Sequence, residues 1–136
     1  MQKVTLFVLL ALVSSLVACG GGSAPQGGEG KASAGDASAG QEVFSQSIIG
    51  SQPGCVTCHS LEPGRSGVGP SLAKIGTAAS SRVSGQSAEE YLRNSIVTPN
   101  DHLAEGFGGN IMPATYGNQL SEQEISNLVA YLLTLK

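Results

Sequence analysis

The chain has 136 residues, enough for one domain of ordinary size. Apolar residues make up 40% of it but aromatic residues only 4%, and there is no tryptophan, so few large side chains can fill a core. Charged residues are sparse at 12%, with a formal net charge of −3. Because phosphate binding requires clustered Lys and Arg, this composition argues against nucleic acid as a partner.

The beginning of the chain has the form of a secretory signal. Met1-Gln2-Lys3 supplies a short positive segment, and residues 4–17 form an apolar stretch that is typical of a signal peptide and short for a membrane-spanning helix. Leu16-Val17-Ala18-Cys19 resembles the bacterial lipobox, in which the cysteine is lipidated and becomes the first residue. We therefore predict a removed signal peptide over residues 1–18 and a lipid anchor on Cys19, with plain cleavage after a small residue as the alternative. The anchor predicts a location in the bacterial cell envelope, on the extracytoplasmic (periplasmic) side of a membrane.

A low-complexity segment follows the signal. After Cys19, the chain up to Ala37 is dominated by Gly, Ala and Ser and has no large apolar side chain. Such a segment cannot bury enough apolar surface to offset the entropy lost on ordering. We therefore predict a flexible tether over residues 19–37 and a folded domain over residues 38–136, which is long enough for a small core.

The first half of the domain is predicted to hold one short helix and a long loop. Val43, Phe44 and Ile48 stand at helical spacing, which predicts a helix over residues 40–49. The Gly and Pro content of residues 61–76 favours a loop.

Two capping boxes predict helices in the second half. A serine followed three residues later by a glutamate occurs at Ser87 with Glu90 and at Ser121 with Glu124. The first box opens a helix that is predicted to run to about Ile96. The second opens the clearest amphipathic pattern of the chain, in which five apolar residues share one face: Ile125, Leu128, Val129, Leu132 and Leu135.

The sequence Cys55-Val56-Thr57-Cys58-His59 has the C-x-x-C-H spacing of covalent c-type haem attachment. Two thiols meet the two vinyl groups of the porphyrin while the adjoining imidazole reaches the iron. Three other uses of paired cysteines are less consistent with this chain. A structural zinc site needs four ligands, a thioredoxin-like pair needs a βαβ pattern, and a disulfide gives His59 no role. The sequence therefore predicts one covalent haem c, with His59 as an iron ligand.

A second axial ligand can be sought by elimination. Met1 belongs to the signal and His59 is already used, so the remaining methionine and histidine are Met112 and His102. Either side chain can bind haem iron. Both remain candidates on this ground.

These residues resemble those of a class I c-type cytochrome, and the resemblance covers nearly all of residues 39–136. The family's Gly-Pro-x-Leu turn is matched by Gly69-Pro70-Ser71-Leu72. The resemblance implies a mostly α domain wrapped around one covalently attached haem, with long loops. It also implies that the Pro70 carbonyl accepts a hydrogen bond from His59 and that Leu72 packs on the haem.

The same family crosses its first and last helices at small and aromatic residues. Here the matching positions are Gly40 with Phe44, and Leu128 with Tyr131. The resemblance implies that these two helices pack closely against each other.

The resemblance also bears on the sixth ligand and on function. Asn110-Ile111-Met112-Pro113 is similar to the family's ligand loop, which favours Met112 over His102. With both axial positions filled, the expected function is one-electron transfer rather than catalysis. The alternatives are a peroxidase-like haem enzyme with an open distal site and a thiol oxidoreductase.

A narrower likeness concerns residues 96–100, 112–117 and 128–132. They resemble the cytochrome c domain fused to subunit II of some haem-copper oxidases, and a lipid-anchored relative is the mono-haem subunit of alternative complex III. This predicts redox-protein partners in a quinol-oxidising or terminal oxidase complex of a respiratory or photosynthetic chain.

Two features depart from the mitochondrial pattern. The tryptophan near a haem propionate is absent, so Tyr116, Asn110 or an Arg is expected to replace it. The ring of docking lysines is also absent, because the domain keeps only Lys74 and Lys136.

Overall fold

The computed structural model describes residues 34–136, which form six helices and one small hairpin. This confirms the predicted, mostly helical class with long loops. The signal segment and Cys19 lie outside the described residues, as does nearly all of the predicted tether. In chain order the elements are α1 (Ala37–Phe44), β1 (Ile48–Ile49), β2 (Gln52–Pro53), α2 (Cys55–Cys58), α3 (Ile75–Ala78), a 3₁₀ turn (Ala79–Ser81), α4 (Ala88–Val97), α5 (Tyr116–Gln119) and α6 (Glu122–Thr134).

The core forms where α1 crosses α6. The rings of Phe44 and Tyr131 lie 5.4 Å apart between centroids, and Leu128 is almost fully buried. A side chain at Gly40 would collide with the backbone carbonyl of Asn127. The missing side chain therefore lets the two helix backbones approach closely, as the resemblance implied.

Asp36 begins the first helix. Its carboxylate accepts hydrogen bonds from the N–H groups of Ser38 and Ala39, at 2.8 and 3.2 Å, which satisfies two donors that a helix start leaves free. The Asp36 N–H in turn donates to Oδ1 of the buried Asn127 in α6. The chain is thus attached to the last helix one residue before α1 begins at Ala37.

The predicted helix over residues 40–49 is wrong in its second half. α1 ends at Phe44, and Ile48 and Ile49 form β1, paired with Pro53 and Gln52 of β2. Because neighbouring residues of a strand face opposite sides, Ile49 is buried while Ile48 is 67% exposed. Gly50, with φ of 58°, takes the first position of the two-residue turn, where a glycine is favoured.

Both capping boxes are confirmed. Ser87 caps α4 and Ser121 caps α6, and in each case the glutamate side chain three residues later bonds back to the serine N–H. Within residues 34–136 no helix is both long enough and apolar enough to cross a bilayer.

Candidate haem site

An apolar cleft lies between α2, α4 and two long loops, over residues 59–74 and 98–115. Its volume is about 1360 Å³, counting the space that is open to solvent. Most of the residues that line the cleft are apolar, so the cleft suits an apolar ligand. The residues that the sequence singled out for attachment and ligation of the cofactor all line it: Cys55, Cys58, His59, Pro70, Leu72, Met112 and the alternative His102. Of the side chains expected near a propionate, Tyr116 lines the cleft and Asn110 does not.

The two cysteines stand one helical turn apart at the ends of α2. The helix starts directly after Gly54. A side chain at Gly54 would collide with the carbonyl of Gln46, so the chain before the hairpin can approach the start of α2 this closely only because residue 54 is glycine. Both thiols are free and half-buried, so the pair does not form a disulfide.

The environment of Cys55 does not suit redox chemistry of the thiol. Burial raises the pKa of the Cys55 thiol to about 11, and its own backbone hydrogen bond offsets this only in part. A reactive thiol pair needs the opposite shift, because the thiolate is the nucleophile. The burial of this thiol therefore disfavours the thiol oxidoreductase alternative.

The ring of His59 is held by the opposite wall of the cleft. Its Nδ1 lies 2.9 Å from the carbonyl oxygen of Pro70. Since a carbonyl can only accept, Nδ1 is the donor, and Nε2 keeps its lone pair. Two backbone bonds hold the segments together: Gly69 N–H donates to Cys58 O at 2.9 Å and Leu72 N–H to Ser60 O at 2.8 Å.

Gly69 is required at this contact. An added Cβ would lie 2.6 Å from Cε1 and 2.9 Å from Nδ1 of His59. Any side chain there would displace the imidazole from its bond to Pro70. The Gly-Pro pair of the sequence thus has two distinct duties, because the glycine makes room for the ring and the proline carbonyl orients it.

Met112 approaches the cleft from the loop before α5. It is half-buried and packs against the core. The loop is shaped by Asn110, which has φ of 60°, a left-handed conformation that asparagine tolerates better than most residues. The Asn110 N–H donates to the side-chain oxygen of Asn100 at 2.7 Å. His102 also lines the cleft, but it is exposed, and its ring meets Tyr91 edge-on with 5.7 Å between centroids.

Part of the cleft wall was missed by the sequence reasoning. Tyr91, Leu92, Ser95 and Ile96 of α4 all line it. These residues are one or four positions apart, a spacing that marks one face of a helix. This pattern is the sequence signal that could have identified them. Arg82, between the 3₁₀ turn and α4, lines the cleft too.

The described side chains build no zinc site. Within residues 34–136 no three His, Cys, Asp or Glu residues are grouped so that they could hold a metal ion. The chemistry of the donor set fits a flat iron-centred cofactor instead, because one imidazole and one thioether reach the same apolar space.

A helical shell around an apolar cleft, with two thiols and an imidazole at its edge, defines a protein built around one covalently attached haem. Residues 37–136 match the model of the family described as cytochrome c. The chain belongs to the cytochrome c family, whose members transfer electrons rather than catalyse reactions and carry one covalent haem c.

Individual relatives agree with the family. Cytochrome c2 iso-1 of Magnetospirillum fulvum is 33% identical over 94 residues, covering 60% of this chain and 91% of the relative. Cytochrome c2 iso-1 of Magnetospirillum molischianum is 31% identical over 90 residues, covering 60% of this chain and 90% of the relative. Each alignment covers nearly the full length of the relative.

Proposed function

We propose that this chain is a membrane-tethered one-electron carrier whose haem c is held by Cys55, Cys58, His59 and Met112. The observation that carries the proposal is that these four side chains line one apolar cleft. When bound, the haem supplies the one-electron chemistry, by alternation of its iron between Fe(II) and Fe(III). The chain's own residues attach it, orient it and exclude water.

His59 and Met112 would be the two iron ligands in this proposal. His59 offers Nε2 because Pro70 holds Nδ1. Met112 is favoured over His102 as the second ligand because it is half-buried and packed on the core, whereas His102 is exposed. A thioether raises the reduction potential relative to a second histidine. With no open position at the iron, the protein would transfer electrons and resist small ligands.

Leu72 and Arg82 would complete the binding of the cofactor. Leu72 is half-buried in the cleft wall and offers apolar contact to the porphyrin. The two propionates need a polar partner, and Arg82 is the one Lys or Arg lining the cleft in residues 34–136. Tyr116 is less suited because its hydroxyl already donates to the Pro53 carbonyl at 2.6 Å. Arg82 would therefore do what the absent tryptophan does elsewhere.

The membrane side of the proposal rests on sequence. The lipobox-like segment ending at Cys19 and the Gly, Ala and Ser-rich residues after it support a lipid anchor with a flexible tether, on the extracytoplasmic side of a bacterial envelope membrane. Electron donor and acceptor proteins would be the partners. A quinol-oxidising complex such as alternative complex III, or a terminal oxidase, is the proposed membrane assembly.

The test begins with the full chain purified from membranes. We expect the pyridine-treated, reduced protein to show a covalent c-type haem that stays with the chain in denaturing electrophoresis. Covalent attachment should be lost when Cys55 and Cys58 are both replaced by Ser. Persistence of attached haem in that double variant would overturn the assignment.

A second experiment addresses the anchor. Cys19→Ser should move the protein from the membrane fraction to the soluble fraction if lipid is the only anchor. Retention of this variant in membranes washed with high salt and mild detergent would show that lipid is not the only anchor. It would point instead to protein contacts within a complex, which would be identified by what copurifies with the wild-type chain.

A further inference from the structure

We propose that Asn100 is a positioning residue for the iron ligand Met112, because its side chain closes the loop that carries this methionine. The inference rests on the proposed function, since it concerns how firmly Met112 is held at the iron. Neither Asn100 nor Asn110, its hydrogen-bond partner, lines the cleft. Asn100 therefore acts through the loop and not from the cleft wall.

The loop that carries Met112, called the Met112 loop here and defined as residues 98–115, has few hydrogen bonds of its own. Within the described chain, three have both partners in the loop: Asp101 N–H to Thr98 O at 3.0 Å, Phe107 N–H to Ala104 O at 3.0 Å, and Asn110 N–H to Asn100 Oδ1 at 2.7 Å. The first two each close a turn of four residues. The third spans ten positions and alone joins the beginning of the loop to the segment before Met112.

The other long loop of the cleft, over residues 59–74, is held in more than one place. Three hydrogen bonds join residues 59–62 to residues 70–72: His59 Nδ1–H to Pro70 O at 2.9 Å, Leu72 N–H to Ser60 O at 2.8 Å, and Ser71 Oγ–H to Glu62 O at 2.7 Å. Loss of one leaves two in place. The Met112 loop has no such reserve, because loss of the Asn100 bond leaves its two ends unjoined by any hydrogen bond.

The position of Asn100 is fixed by the end of α4. Thr98 caps this helix, and its N–H donates to Asn94 O at 2.8 Å. Pro99 is buried in the cleft wall, and its ring fixes its φ. Asp101 N–H then bonds back to Thr98 O, which places Asn100 inside a closed turn. The Asn100 side chain is therefore presented from a rigid helix end.

At the other end of the bond, the Asn100 oxygen meets the backbone just before Met112. Asn110 precedes Met112 by two residues and has a left-handed backbone with φ of 60°. A Cβ added at Gly109 would lie 3.5 Å from the same Asn100 oxygen, so this oxygen packs on both residues. Beyond Met112, the Tyr116 hydroxyl bonds to the hairpin. Met112 thus lies between two hydrogen-bonded positions, one on each side.

The bond adds to the cost of releasing Met112. An external ligand can bind the iron only after the thioether has left it. Departure of Met112 moves the segment that follows Asn110 and breaks the bond to Asn100. The usual net value of one hydrogen bond corresponds to a factor of about five in an equilibrium constant. Asn100 therefore keeps the population with an open iron position about fivefold smaller.

The test measures imidazole binding to the ferric, haem-loaded full chain. The apparent affinity is proportional to the fraction of molecules in which the iron position is open. Asn100→Ala should therefore raise the apparent affinity about fivefold. Asn100→Leu, which has a similar size but no acceptor, should do the same. Asn100→Asp keeps an acceptor oxygen at this position and should bind imidazole as the wild type does.

The matched control is Asn118→Ala, the same substitution in α5. Asn118 is exposed, and within residues 34–136 its side chain forms no hydrogen bond to protein. Imidazole affinity should be unchanged in this variant. The midpoint of guanidinium unfolding is measured for every variant, so that a general loss of stability is separated from an effect on the iron ligand.

A double-mutant cycle with Met112→Ala shows whether Asn100 acts through the methionine. In the Met112→Ala background the thioether is already gone, so adding Asn100→Ala should not change imidazole affinity further. A residue that only loosened the fold would raise the affinity by the same factor in both backgrounds.

Four results would overturn the inference. They are an unchanged affinity in Asn100→Ala and Asn100→Leu, a rise in Asn100→Asp equal to that in Asn100→Ala, the same rise in Asn118→Ala, or equal effects in the two backgrounds. Each leaves the proposed function standing if Met112→Ala binds imidazole more tightly than the wild type. If Met112→Ala does not, Met112 is not the iron ligand, and the proposed ligation fails together with this inference.

Discussion

The hydroxyl of Tyr116 donates a hydrogen bond to the carbonyl oxygen of Pro53 at 2.6 Å. Tyr116 follows Met112 by four residues, and Pro53 precedes Cys55 by two. This bond therefore ties the loop that carries the thioether to the segment that carries the thiols. Burial first, and then the nearby cysteine sulfurs, raise the pKa of Tyr116. The hydroxyl therefore remains a donor over the whole physiological range.

Tyr116→Phe removes the hydroxyl group, and with it this hydrogen bond, but keeps the aromatic ring. We expect the free energy of unfolding to fall by about 1 kcal/mol, the usual net value of a hydrogen bond, as measured from the midpoint of guanidinium unfolding. Tyr131→Phe is the control, because within residues 34–136 the Tyr131 hydroxyl is in no hydrogen bond to protein. Equal losses in the two variants would show that the bond to Pro53 adds nothing.

Gly40→Ala should destabilise the protein although alanine is the better helix former. Intrinsic propensity alone would favour alanine by about 1 kcal/mol. The added methyl, however, would collide with the Asn127 carbonyl in α6 and force the helices apart, at a cost of about 1–3 kcal/mol. Gln41→Ala, on the exposed side of the same helix, should change the unfolding midpoint little. A gain in stability for Gly40→Ala would contradict the close crossing.

The ligand assignment is tested by Met112→Ala beside His102→Ala. Loss of the thioether should keep haem attached through the cysteines but lower the reduction potential and allow carbon monoxide or cyanide to bind. His102→Ala should leave the potential, spectrum and ligand binding as in the wild type. The reverse pattern would make His102 the ligand. No change in either variant would mean that the distal site was open from the start, as a peroxidase-like protein requires.

The capping box of α6 predicts a pH dependence of stability. Hydrogen bonds from the Ser121 side chain, and then from its backbone, lower the pKa of Glu124 from 4.5. Because the folded-state pKa lies below the unfolded one, the stabilisation is fully present above about pH 4.5 and is lost as the pH falls through the folded value. Glu124→Gln should remove this step from a plot of unfolding free energy against pH.

Ser121→Ala provides the matched measurement at neutral pH. It should cost about 1 kcal/mol of stability through loss of the cap. A pH profile that Glu124→Gln leaves unchanged would show that other carboxylates account for the acid sensitivity.

Local patterns in the sequence were sufficient for much of the fold. The serines at 87 and 121 with their glutamates define where α4 and α6 begin, because a capping box satisfies donors within four consecutive residues. The prediction for residues 40–49 failed after Phe44, since two adjacent isoleucines are too short an apolar run for periodicity to separate a helix from a strand. Only pairing with Gln52 and Pro53 decides between the two.

The candidate haem site could likewise be predicted from the sequence only in part. The C-x-x-C-H motif, the Gly-Pro turn and the single remaining methionine are visible in the sequence, because covalent attachment and axial ligation demand particular residue types at short spacing. The bond between Tyr116 and Pro53 and the position of Arg82 in the cleft wall are not visible there. Each depends on residues that are far apart in the chain. Only the packing of α1, α4 and α6 brings these residues to one cleft. A contact across about 60 positions depends on the whole core and not on any local preference.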